Sequence, residues 1–174
     1  PLVALTVGDP AGVGPELCLR ALHHAPLFER MRLLVVGDEA VVRGAEGCTG
    51  LAFDAPVLRE EVRAASVERA ALLDIGVLPA PHLPGQATRE AGLASYAAIE
   101  TAVRLCRSGA AAGMATAPIT KTTLKMAGVP EPGHTEILGR LCACENFAMM
   151  LYSSVMFSPL YESTETIGPE PGTA

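Results

Sequence analysis

The residues best suited to chemistry lie in one short run, GMATAPITKTTLKMAGVPEPGHTEILGRL, from Gly113 to Leu141. Lys121 falls in what reads as a first helical turn, and His134, Thr135 and Glu136 open what reads as a second helix. Helix starts carry backbone N–H groups with no intrahelical acceptor, together with the positive end of the helix dipole. A histidine, a threonine and such a donor end, set on a loop stiffened by Pro130 and Pro132 and opened by Gly133, suit a phosphate or a carboxylate. The same residues also suit a plain loop histidine followed by a threonine that serves only as an N-cap. The residue types leave both readings open.

The flanking pattern says how these residues are held. Gly113 to Ala117 is small and apolar, as at the end of a buried strand, and Pro118 cannot continue a ladder hydrogen bond. Thr120 is placed to cap a short helix from Lys121 to Ala127, and Gly128 stands where a left-handed C-terminal residue is wanted. Thr135 is the candidate N-cap of the next helix, which runs through Ile137, Leu138 and Leu141.

Upstream, Leu2 to Val7 reads as a strand running into Gly8-Asp9-Pro10-Ala11-Gly12-Val13-Gly14-Pro15-Glu16. Pro15 suits a first helical position, and Leu17, Cys18, Ala21, Leu22 and Ala25 supply a helical apolar face. Gly12 and Gly14 allow backbone conformations or close approaches closed to other residues. The loop matches neither the dinucleotide fingerprint GxGxxG nor the phosphate loop GxxxxGK[ST]. Arg32 to Val36 is a second buried strand, followed by a short helix from Glu39 to about Ala45. Between Leu51 and Pro84 the apolar runs at Ala70 to Ile75 and Val77 to Leu78 are broken by Gly76 and prolines, and His82 among those prolines reads as an exposed loop residue.

Thr88 opens the longest helix, whose apolar residues cover more than one face until Ser108-Gly109 stops it. Periodicity cannot choose between core and subunit interface for the second face. Phe147 to Tyr152 is a further strand candidate. The alternation of strands and helices predicts an α/β protein with a mostly parallel sheet and flanking helices. Residues 1–152 form the organised portion, and residues 153–174, rich in Ser, Thr, Glu, Pro and Gly, form a divergent tail in which no compact element is evident.

Composition narrows the partners. A net charge of -6 and a pI near 5.2 give no electrostatic footprint for nucleic acid or an anionic membrane, so an anion must be held by local groups. No apolar run approaches membrane-spanning length, and the strand-like LVALTV start is unlike a signal segment, so the expected location is the cytoplasm. Five cysteines, Cys18, Cys48, Cys106, Cys142 and Cys144, lack zinc spacing and read as buried thiols of a reducing compartment. His23-His24 ends a helix, where a cation complements the dipole, and is assigned no chemistry.

Three blocks in order, GDPAGVGPE, TAPITK and AGVPEPGHTE, resemble the signature segments of the 4-hydroxythreonine-4-phosphate dehydrogenase (PdxA) family, and the likeness runs from about Leu2 to Leu151. More distantly, the first block resembles the GDGIGPE opening of isocitrate and isopropylmalate dehydrogenases, whose fold that family shares. The resemblance implies NAD-dependent oxidation and decarboxylation of 4-phosphooxy-L-threonine on the route to pyridoxal 5'-phosphate. It also implies a homodimer, an NAD(P) cofactor and a divalent metal such as Zn, Mg or Co. His134 and Thr135 match the family positions that contact the phosphorylated substrate. Lys121 matches a motif without a definite role, and no catalytic or cofactor-binding residue is assigned. The family's metal histidines lie in TTH, NPHAGE-like and HDQG-like motifs, none of which occurs in this sequence, so no metal ligand is assigned. Alternative expectations are a non-catalytic truncated fragment, a phosphate-handling transferase related through the same fold, and a relative that oxidises a phosphorylated four-carbon sugar acid.

Overall fold

The computed structural model describes residues 1–78 and 84–150. His82, Leu151, Tyr152 and the 153–174 tail lie outside the described residues.

Among the described residues, five parallel strands form one sheet in the order β3-β4-β2-β1-β5: β1 Leu2–Thr6, β2 Arg32–Gly37, β3 Val57–Leu58, β4 Ala70–Asp74 and β5 Gly113–Thr116. β1 lies between β2 and β5, with Leu5 opposite Val35 on one side and Ala115 on the other. β4 is the run that sequence alone leaves unassigned. Its burial comes from tertiary pairing, Val35 against Leu72 and Val36 against Leu73, while β3 contributes only a two-residue edge.

Alternation along β2 assigns the two faces of the sheet. Leu34 and Val36 join Leu2, Ala4, Ala71 and Leu73 beneath helix α4, Arg89–Arg107. Leu33 and Val35 join Val7, Leu72 and Phe53 beneath α1, Gly14–Leu22, and α2, Glu39–Gly44. The helix expected from Glu39 to about Ala45 therefore ends on schedule, and a short α3, Glu46–Thr49, restarts directly after it. In α1, Leu17 is 45% exposed and Leu19 is fully buried. The expected face holds at Cys18, Ala21 and Leu22, which pack on the core; Pro15 and Leu19 join it and Leu17 is left outside, because a nine-residue helix leaves the edges of its apolar stripe open.

Helix α4 is packed on two sides, as its composition required. Ala98, Ala102 and Leu105 meet the sheet; Ile99 and Val103 meet Leu124 of α5, Lys121–Met126, and Ile137 of α6, His134–Cys142. Its second apolar face is spent inside this chain. Thr88 caps it as expected, its hydroxyl accepting the Ala91 N–H at 3.1 Å.

The strand expected at Phe147 to Tyr152 is corrected over residues 147–150, where only Met149 forms a bridge. Phe147, Met149 and Met150 are exposed by 39%, 55% and 64%. Phe147 leans on Gly139, where an added Cβ would sit 2.4 Å from the ring. None of the helices among the described residues is long and apolar enough to cross a membrane.

Candidate functional site

The direction in which strands are added reverses at β1: the chain goes first to β2 on one side and later to β5 on the other. In open parallel sheets the carboxyl ends of strands at such a reversal are where ligands bind. Here the loops after β1 and β5 meet at that edge and are joined directly. The Asp9 N–H donates to the Pro118 carbonyl at 2.9 Å, and the Thr123 hydroxyl lies 2.8 Å from Asp9 Oδ2. Asp9 is 2% exposed, and its Oδ1 accepts the Ala11 N–H at 2.9 Å.

Close packing explains the glycines of the first block. Gly8 has φ +73°, and a Cβ there would lie 2.4 Å from the Pro118 carbonyl oxygen. A Cβ on Gly14 would lie 1.9 Å from the Val7 carbonyl oxygen. Gly12 has neither constraint, its Cβ position meeting nothing closer than 3.4 Å. The expectation for Gly12 and Gly14 thus holds for Gly14 and passes from Gly12 to Gly8.

Asp38 follows β2, where dinucleotide folds place a ribose-binding carboxylate. Here Asp38 Oδ1 accepts the N–H groups of Val77 at 2.6 Å and Leu78 at 3.1 Å and so anchors the segment after β4.

At the second block, Thr120 occupies the N-cap position of α5 but makes no side-chain cap. The Thr123 hydroxyl turns back to the Thr120 carbonyl at 2.9 Å instead. Lys121, the first residue of α5, is exposed and forms no ion pair among the described residues. Ala127 ends the helix, and Gly128 follows with φ +78° as expected.

At the third block, α6 begins two residues earlier than Thr135 capping requires. Gly133 is the N-cap, extended at φ -169°, and its carbonyl accepts the Ile137 N–H at 3.1 Å. His134 and Thr135 therefore occupy the first turn, Thr135 half-buried and free of the capping task. The preceding loop is tied down by Arg140 of α6, whose guanidinium bonds Glu131 and the Tyr96 hydroxyl of α4. The His134 ring is half-buried, with Nε2 enclosed and without a hydrogen-bond partner among the described residues. Burial pushes its pKa below the ordinary histidine value, favouring a neutral imidazole that offers one N–H donor.

Lys121 and His134 thus stand on helices joined through Leu124 and Ile137. Among the described residues no three His, Cys, Asp or Glu side chains are grouped to hold a metal ion, so the residues present do not fit the divalent ion that the resemblance implies. The burial expected of the thiols holds for Cys18 and is corrected at Cys48, Cys142 and Cys144, which are exposed free thiols. His23 Nε2 is 2.8 Å from the Ala52 carbonyl oxygen, a structural contact. A groove of about 590 Å³ beside Ala70 and Ala71 opens at the opposite end of the sheet and contains none of the candidate residues.

The family model for the pyridoxal phosphate biosynthetic protein PdxA matches residues 29–162. The chain belongs to the PdxA family. A 4-hydroxythreonine-4-phosphate dehydrogenase of Desulfosudis oleivorans is 40% identical over 156 residues, covering 87% of this chain and 45% of that protein. A D-threonate 4-phosphate dehydrogenase of Bordetella bronchiseptica is 36% identical over 163 residues, covering 90% and 46%. The crystal structure of a 4-hydroxythreonine-4-phosphate dehydrogenase from Burkholderia phymatum superposes with a TM-score of 0.78 at 34% identity, covering 88% and 47%. The chain spans about half the length of these PdxA-family relatives. The parallel α/β architecture is the isocitrate dehydrogenase-like fold of the family.

Sequence reasoning singled out His134 and Thr135 and did not pair Asp9 with Thr123. No local signal marks that pair, since the partners are 114 residues apart and each reads alone as a turn or helix residue.

Proposed function

We propose that this chain forms the phosphate-gripping portion of a PdxA-type oxidoreductase that oxidises 4-phosphooxy-L-threonine with NAD(P) and then decarboxylates it, in vitamin B6 biosynthesis. The observation that carries this reading is the position of His134 and Thr135 in the first turn of α6, beside backbone N–H groups that have no intrahelical acceptor. A neutral His134 donates one N–H to a phosphate oxygen, Thr135 adds a hydroxyl, and the helix start supplies further donors and partial positive charge. In a chain of net charge -6 such donors, rather than a broad positive field, would have to hold the anion.

A divalent ion supplies Lewis acidity to this class of oxidation, and its ligands would come from polypeptide beyond the described residues. The 174-residue chain is accordingly expected to bind phosphorylated ligand without turnover, as an incomplete form of a cytoplasmic homodimer. D-Threonate 4-phosphate is a second candidate substrate, favoured by the similarity to dehydrogenases named for it. Both candidates carry a phosphate on a four-carbon hydroxy acid, so grip at the phosphate does not separate them.

NMR titration of the chain with inorganic phosphate and with each phosphorylated acid tests the grip. Resonances of His134 and the Thr135 amide should move with all three ligands, and the shifts should be lost in His134→Ala. No response at millimolar ligand would count against the reading. In a polypeptide extended to the length of its relatives, NADH formation with each acid distinguishes the two substrates.

A further inference from the structure

We propose that Asp9 is a positioning residue: through Thr123 it aligns helix α5, and with it the start of α6, against the carboxyl edge of the sheet. Its carboxylate is buried, and each oxygen has its own task. Oδ1 accepts the Ala11 N–H and shapes the local turn, while Oδ2 reaches Thr123 across 114 residues of sequence. Thr123 is itself fully buried, and its single hydroxyl hydrogen is shared between Asp9 Oδ2 at 2.8 Å and the Thr120 carbonyl at 2.9 Å. A buried carboxylate costs desolvation that an apolar pair of similar volume would avoid. What the polar pair adds is direction, because a hydrogen bond fixes an angle that apolar packing leaves loose.

The alignment is transmitted onward by two observed links. Leu124, next to Thr123, is buried against Ile137 in α6. The Leu124 carbonyl also accepts the Val129 N–H at 3.0 Å, which fixes the beginning of the loop that delivers Gly133 and His134. Displacement of the α5 first turn would therefore be felt at the α6 first turn. The inference rests on the phosphate reading for what the alignment serves, but not for the alignment itself.

Thr123→Val removes the hydroxyl at nearly constant volume, and Thr123→Ser keeps it. Asp9→Ser can retain the local turn with Ala11 but is too short to reach Thr123, whereas Asp9→Asn preserves both reaches. Amide shifts of His134 and Thr135 and the Kd for inorganic phosphate are measured on the 174-residue chain. Thr123→Val and Asp9→Ser should move those amides and weaken phosphate roughly tenfold, as expected for a displaced donor set. Thr123→Ser and Asp9→Asn should stay near wild type. If wild type ignores phosphate but Thr123→Val still moves the His134 and Thr135 amides, the alignment stands and the phosphate reading falls. Unchanged amides and Kd in both disruptive variants would overturn the proposal, as would equal disturbance by Thr123→Val and Thr123→Ser. Failure of both disruptive variants to fold would also overturn it, by making the pair a folding element instead.

Discussion

Gly92 of α4 lies so close to Thr123 of α5 that a Cβ built on the glycine would stand 2.0 Å from the Thr123 carbonyl oxygen and 2.8 Å from the Ala127 side chain. The obstacle is backbone, which cannot swing aside as the end of a flexible side chain does. Gly92→Ala should therefore separate the two helices despite alanine's better helix propensity. The expected cost is about 1–3 kcal/mol, read as a lower urea midpoint with an unchanged slope. A more stable Gly92→Ala variant would show that the contact is looser than described.

Removal of Ile137 side-chain bulk should loosen α6 from α4 and α5. Ile137 is fully buried and shares its cluster with Ile99, Val103 and Leu124. Ile137→Ala should cost about 2–5 kcal/mol, while Ile137→Val should cost about 0.5–1.5 kcal/mol. Chemical denaturation of both variants checks the ratio. Equal, small losses would mean that α6 is not held by this cluster.

His134 gives stability a pH dependence of known sign. Its pKa is lowered in the folded chain by burial, so the unfolded chain binds more protons between the folded value and the ordinary value of about 6.5. The His134 contribution is present above the ordinary value and is lost as pH falls through that window. Comparing urea midpoints at neutral and mildly acidic pH, in wild type and His134→Asn, isolates it. The acid sensitivity should shrink in the variant, and a His134 NMR titration midpoint at or above the ordinary value would contradict the burial effect.

Thiol reactivity should divide by burial. The Cys18 thiol is buried, contacts the Thr6 carbonyl oxygen at 3.8 Å and has its pKa pushed up to about 12 by desolvation, so almost none is thiolate near neutrality. Cys48, Cys142 and Cys144 are exposed. A disulfide reagent should modify those three in the native chain and reach Cys18 only after denaturant is added. Rapid native labelling of Cys18, located by peptide mapping, would contradict its placement.

Local chemistry made much of the architecture legible from sequence. Pro118 had to end β5, Gly128 supplied the left-handed residue after α5, and Thr88 marked the start of α4, because each acts through its own torsions or through an N–H within one helical turn. The three motif blocks likewise carried the family likeness and brought His134 and Thr135 forward. Neighbours distant in sequence decided the rest. Ala70–Asp74 became a strand by pairing with β2, and Leu19 rather than Leu17 turned inward against the sheet. Gly133 took the capping position expected of Thr135, leaving that threonine in the first turn of α6. Asp9 found its use only when folding brought Thr123 to it, and the enclosure of His134 Nε2 likewise depends on packing around the ring. The physical reason is one of range: torsional preferences and caps act within a few residues, whereas burial, cross-loop hydrogen bonds and shifted pKa values depend on which surfaces meet.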